Sequence, residues 1–93
     1  MDDYTKIEIL GDNPTNTVIK KIEGDFQNFD GEAVIEEFKF EISKMLYIDY
    51  LEPLINFTTY LRVSGIIYKV IKKPKIYSDY MEIPLYELRK KVD

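Results

Sequence analysis

The stretch Thr59-Tyr60-Leu61-Arg62-Val63-Ser64-Gly65-Ile66-Ile67-Tyr68-Lys69-Val70-Ile71-Lys72 decides the fold. Leu61 and Val63 alternate with Tyr60 and Arg62. Past Ser64-Gly65, Ile67, Lys69 and Ile71 fall on one face, with Ile66, Tyr68 and Val70 on the other. Period-two spacing with this density of β-branched and aromatic residues predicts two strands rather than a helix. Gly65 supplies the positive φ that a tight hairpin turn needs. Both faces of the second arm are apolar, which predicts a place inside a sheet or barrel and not along an open surface. Nothing in this stretch is catalytic.

Upstream, Gly11-Asp12-Asn13-Pro14-Thr15-Asn16 has the composition of a turn. Ile7, Ile9 and Leu10 offer only a weak anchor for a first strand or short helix, so residues 1–16 are expected to form a flexible or weakly packed segment. Val18 to Phe26 reads as a strand with irregular alternation, Gly24 marking a bulge or sharp bend. Asp30-Gly31, within Asn28 to Glu32, reads as the next turn. Residues 33–50 admit two readings. A helix would gather Val34, Ile35, Phe38, Ile42, Met45 and Leu46 on one stripe but strand Phe40 among charges. Strands put Phe38, Phe40 and Ile42 on one face and Leu46, Ile48 and Tyr50 on another; two strand segments around a bend near Ser43-Lys44 are therefore expected. Pro53 interrupts the run. Met81, Ile83 and Leu85 alternate with Glu82, Pro84 and Tyr86 in a last strand, in which Pro84 needs an edge or a position facing away from a neighbour's carbonyls.

Ninety-three residues, 45% of them hydrophobic, bound the chain to one domain with one core, spanning 1–93. The fold class expected is all-β: a small closed or partly open antiparallel β-barrel with irregular loops. No stretch approaches the ~20 apolar residues of a membrane-crossing helix. The net charge of −4 is unevenly spread: residues 1–50 hold twelve acids against five bases, and residues 51–93 hold five acids against eight. Such opposition can steer identical subunits head to tail, unless the halves mix in space. Clustered positive charge for sequence-independent nucleic-acid binding is lacking.

No cysteine or histidine is present, which removes thiol chemistry, the histidine base and the usual zinc ligands. Asp2-Asp3, Glu36-Glu37 and Asp49 with Glu52 are close in the chain, but solvation at the surface accounts for them without general acid-base chemistry. The glycines form no phosphate-cradling loop, and Asp12, Asn13 and Asp30 form no calcium loop. No enzyme, metal or cofactor is expected. Eight tyrosines exceed what one small core needs and suit a barrel rim or an interface. Tyr68 reads as structural, whereas Tyr77 and Tyr80 fall in an exposed connection. From loop position, the interface residues expected are Phe29, Glu32, Pro53, Tyr77, Tyr80 and Arg89.

The order of these elements resembles the small head-closure, or stopper, proteins at the head–tail connection of long-tailed bacteriophages. The resemblance rests on Val18-Ile19-Lys20 through Gly24-Asp25-Phe26, Gly31-Glu32, Met45-Leu46-Tyr47-Ile48-Asp49-Tyr50, Leu61 through Ile71, and Tyr80-Met81-Glu82-Ile83 with Leu85. It covers roughly residues 18–88, and Gly65 and Tyr68 mark its structural hairpin. It implies a virion protein of the neck, assembled in the host cytoplasm: a homo-oligomeric ring between portal or adaptor and tail-end proteins. Packaged DNA would pass through that ring without sequence-specific binding, and no membrane would be involved. The acidic half would then line the channel. A small β-barrel protein-binding adaptor outside any virion is the alternative, and a nucleic-acid-binding barrel a third reading.

Overall fold

The computed structural model of the chain describes residues 4–11 and 17–88. Seven strands follow in order: β1 (Tyr4–Leu10), β2 (Val18–Ile35), β3 (Phe38–Ile48), β4 (Tyr60–Val63), β5 (Ile66–Val70), β6 (Lys75–Ile76) and β7 (Met81–Glu87). β1 lies between β2 and β4, β4 pairs with β5, β5 with β7, β7 with β3, and β3 with β2, all antiparallel. Six strands therefore close into a barrel, with β6 beside the start of β7. The expected barrel is the closed one.

The β4–β5 hairpin forms as its sequence predicts. Val63 faces Ile66 across a two-residue turn in which Ser64 and Gly65 have φ of 51° and 81°, the left-handed pair of a type I′ turn. β5 has neighbours on both edges. Its Tyr68 and Val70 are buried in the core with Ile7 and Ile9 of β1, Leu61 and Val63 of β4, and Ile83 and Leu85 of β7. Each of the six barrel strands sends alternate side chains inward, and burying one such aliphatic chain contributes roughly 1.5–3 kcal/mol. Ile55 plugs the interior from the loop before β4. Phe26 meets the Tyr68 ring edge-on at 5.3 Å and 71°.

Four expectations are corrected. First, residues 4–10 are not weakly packed: they form β1, and Ile7 and Ile9 are completely buried against the barrel. The turn expected at 11–16 lies mostly outside the described residues, but the Gly11 amide donates to the Thr17 carbonyl at 2.7 Å, so its two ends meet. Second, Asp30-Gly31 is no turn. The β2–β3 register shifts between Asn28 and Gly31, placing Phe29 and Asp30 in a bulge within one long strand. Third, β3 runs unbroken through Ser43-Lys44, and its turn is Glu36-Glu37, with φ of 49° and 75°. Neither a bend at 43–44 nor a helix is formed. Fourth, Gly24 sits in regular register opposite Thr5. A Cβ there would stand 2.7 Å from Ile48 Cγ2, 2.8 Å from Leu46 Cδ1 and 2.9 Å from the Tyr47 carbonyl oxygen. Gly24 lets β3 approach β2 closely; it does not bulge the strand.

Pro84 is internal to β7 and pairs with Met45 of β3. On the other edge of β7, the β5 ladder stops at Leu85 and the β6 ladder starts at Glu82, so Ile83 and Pro84 have no ladder partner there. The missing amide of proline falls beside that gap in the ladder.

Beyond the barrel, β2 and β3 continue as a two-stranded arm. β1 pairs with β2 no further than Asp25, and β7 pairs with β3 only from Lys44 onward, so Gly31–Ile35 and Phe38–Ile42 pair with each other alone among the described residues. The molecule measures 41 × 27 × 25 Å, its long axis exceeding the others by about 15 Å, the span of five strand residues at ~3.3 Å each.

Replacing Gly24 with Ala should destabilise the barrel by about 1–3 kcal/mol, because the new methyl meets a backbone oxygen as well as two side chains. Thermal melting of Gly24→Ala should show a Tm lower by at least about 4 °C. An unchanged Tm would mean that β2 and β3 are not held so close.

Candidate functional site

The connection from β3 to β4 is built around one buried carboxylate. Glu52 is 2% exposed. Its oxygens accept from the Tyr50 hydroxyl at 2.9 Å and the Leu54 amide at 3.2 Å, and the Lys20 ammonium stands 2.7 Å away. Burial by itself raises the Glu52 pKa, but the hydrogen bonds from Lys20, Leu54 and Tyr50 and the charge of Lys20 outweigh it and hold the carboxyl below its ordinary value. The Tyr50 phenol is pushed up to about 12, first by burial and then by its bond to, and the charge of, Glu52. Further along, the Thr58 amide donates to Val70 at 2.8 Å and the Val70 amide to Thr59 at 2.9 Å. The connection is thus fastened at both ends to the barrel, and it turns Leu54 and Phe57 outward, 42% and 48% exposed.

Phe57 forms one wall of an apolar groove of about 540 Å³, together with Ile55, Asn56, Ile71, Lys72, Lys73, Pro74 and Ile76. The opposite wall is the irregular segment after β5 together with β6, where Ile71 and Pro74 turn in and Lys72, Lys73 and Ile76 turn out. The groove therefore has an apolar floor, and two exposed lysines contribute to its lining.

The arm is the second feature. The Phe29 ring covers Gly31 so closely that a Cβ at Gly31 would overlap it. Lys44 donates to Asn28 across the root of the arm. Ile42 is buried there against Ile71 and Tyr86. Toward the tip, Val34 and Phe38 are 66% and 69% exposed, the largest exposures among the apolar side chains described.

A third feature lies on another side. Tyr77 and Tyr80 stack at 4.5 Å and 10°, and Tyr80 lines a recess with Tyr4, Asp25, Tyr47, Ile48, Asp49 and Asp79. The Tyr4 hydroxyl donates to Asp49 at 3.0 Å. Burial, then the charges of Glu82 and Asp25, push the Tyr47 phenol up.

Of the interface residues expected from sequence, Phe29 and Glu32 come together in one recess at the root of the arm, where they face Lys72, Lys73 and Lys75. Tyr77 and Tyr80 form the stacked pair. Pro53 is exposed in the β3–β4 connection, apart from both groups. Arg89 lies outside the described residues. Tyr68 is core, and Gly65 is the hairpin turn. Glu52 corrects the expectation of a solvated carboxylate: it is buried. Sequence reasoning also missed Phe57 and Ile76 of the groove and Val34 and Phe38 of the arm. Only the alternation across Phe38 to Ile42 hinted at the arm, because it names an apolar face without saying what covers it. Among the described residues, no group of three or more acidic, histidine or cysteine side chains is placed to hold a metal ion.

These features define a closed all-β barrel with its interior filled by side chains and its unusual chemistry on the outside. No family model, no curated protein and no solved structure matches the chain. The viral terms attached to the resemblance (bacteriophage, virion, head–tail connector, head closure, stopper, neck, viral assembly) are accordingly corrected: nothing found among known proteins ties this chain to a phage or a virion.

The Glu52 cluster makes stability pH-dependent in a definite direction. A carboxyl held below its unfolded value of 4.5 contributes stability that is fully present above pH 4.5 and is lost as pH falls through the lower folded value. Glu52→Gln should lower stability at pH 7 by about 1–3 kcal/mol. The difference in Tm between wild type and variant should shrink as the buffer is taken below pH 4.5. A difference that stays constant down to pH 3 would show that the charge of Glu52 contributes nothing (pH 3 lying roughly one unit below an ordinary carboxylate).

Proposed function

We propose that this chain is a non-catalytic protein-binding module: a rigid six-stranded barrel that holds out the β2–β3 arm as its docking element. One observation carries the reading. Past its root the arm has no strand on either outer edge among the described residues, yet it presents Val34 and Phe38 to solvent. A two-stranded hairpin alone is marginally stable in water, and unpaired strand edges are templates for pairing with another chain. Large exposed apolar side chains on such an element suit a surface that is covered by a partner. The arm supports a protein partner over a nucleic acid, because residues 30–41 carry five acids and one lysine.

A photo-crosslinking amino acid placed at Phe38, with Lys6 on the barrel wall as control, tests the module in cells that make the chain. Irradiation should give a protein adduct from position 38 that position 6 does not give. Replacing residues 33–40 with Asn-Gly should abolish the interaction while leaving the barrel folded, with a Tm within a few degrees of wild type. No adduct at 38, or the same adducts from both positions, would overturn the proposal.

A further inference from the structure

We infer that the arm docks into the Phe57–Ile76 groove of a second copy of this chain, with Phe38 as the side chain that fills it; the inference rests on the docking role proposed for the arm. The two surfaces match in chemistry. The arm from Asp30 to Glu41 holds five acids and one lysine, a net of −4. Its exposed anchor is aromatic: Phe38 is 69% exposed. The groove has a floor of Ile55, Ile71 and Pro74, walls of Phe57 and Ile76 that are 48% and 60% exposed, and the exposed Lys72 and Lys73 in its lining. Lys75 follows on the same segment, so three lysines stand within four residues. An aromatic anchor filling a desolvated apolar pocket is where binding energy concentrates at protein interfaces, and opposite charges beside it steer the encounter and set its register.

The partner has to be a different molecule. Lys72 and Lys73 also line the recess beside Phe29 and Glu32 at the root of the same arm. The groove therefore lies beside the arm's base, whereas the tip lies five strand residues further along a paired ribbon, roughly 16 Å at ~3.3 Å per residue, and such a ribbon cannot fold back on itself. Arm and groove are different surfaces, so the contact is heterologous. Each docked pair keeps one unused arm and one unused groove, and growth continues until the chain of subunits closes or runs on.

The test uses the purified full-length chain and reads mass by light scattering on a sizing column. Wild type at roughly 0.2 mM should be larger than a monomer, and salt at about 0.5 M should weaken the assembly at least tenfold. Phe38→Ser and Ile76→Ser, both at exposed positions, should each remain folded by circular dichroism and associate roughly thirtyfold more weakly. Mixing the two variants should restore a dimer and nothing larger, since only one intact arm and one intact groove meet. Reversing Lys72 and Lys73 to Glu should break assembly, and adding Glu36→Lys and Glu37→Lys should restore it. A monomeric wild type overturns self-docking, and a crosslink from position 38 to some other protein would then leave the module reading standing. Assembly that survives Phe38→Ser overturns self-docking through the arm as well.

Discussion

The pairing of β3 with β7 is the contact on which the rest of the molecule depends. Met81 to Leu85 run against Ile48 to Lys44 and close the barrel. They join strands more than thirty residues apart in the chain, a pairing that no local turn dictates. Long-range pairing of this kind needs a specified register. Leu46 and Ile83, which face one another across the seam, are both completely buried and supply it. The seam also sets where the barrel stops. β7 meets β3 only over the second half of β3, so the first half is left with β2 alone. The arm is therefore what remains when a long hairpin is closed by a shorter strand.

The loop that feeds β4 serves the same closure. An uncompensated carboxylate in the position of Glu52 would be expensive to bury, but Lys20 of β2, Tyr50 and the Leu54 amide all converge on it. The Glu52 amide in turn donates to Met81 Sδ at the start of β7. One residue thus couples β2 and the loop through its side chain and the closing strand through its amide. Because the Lys20 side chain stays 45% exposed, the pair avoids much of the desolvation that makes fully buried ion pairs weak. At the other end of the loop, the backbone bonds of Thr58 and Thr59 to Val70 hold Phe57 beside Ile71, so the groove is shaped by the barrel and not by a loose loop.

What the sequence made legible and what it hid follow from where the chain obeys local rules. Ser64-Gly65 is a turn pair between alternating runs, and the hairpin there could be read directly. Glu36-Glu37 is not: neither residue favours a left-handed conformation, which carries roughly 1–2 kcal/mol of strain for each L-residue, and the pairing on either side of the turn has to hold it. Asp30-Gly31 misleads for the opposite reason. It has turn chemistry but is used in a bulge, where Gly31 makes room for the ring of Phe29. With the turn placed six residues early, the arm disappears from the reading, and with it the exposure of Val34 and Phe38. Glu52 was hidden because burial of an acid is decided by partners thirty residues away in sequence, such as Lys20 and Met81.

The acidity of the arm has a consequence for how such an element stays soluble. An apolar ribbon with two open edges invites edge-to-edge pairing with another ribbon, the route to disordered aggregates. Asp30, Glu32, Glu36, Glu37 and Glu41 place like charge along any such pair of arms, so two arms approaching one another repel. A surface of positive charge beside an apolar hollow meets no such repulsion. The same carboxylates thus oppose the nonspecific contact and favour the specific one, and specificity arises here as much from what the arm is kept from touching as from what it fits.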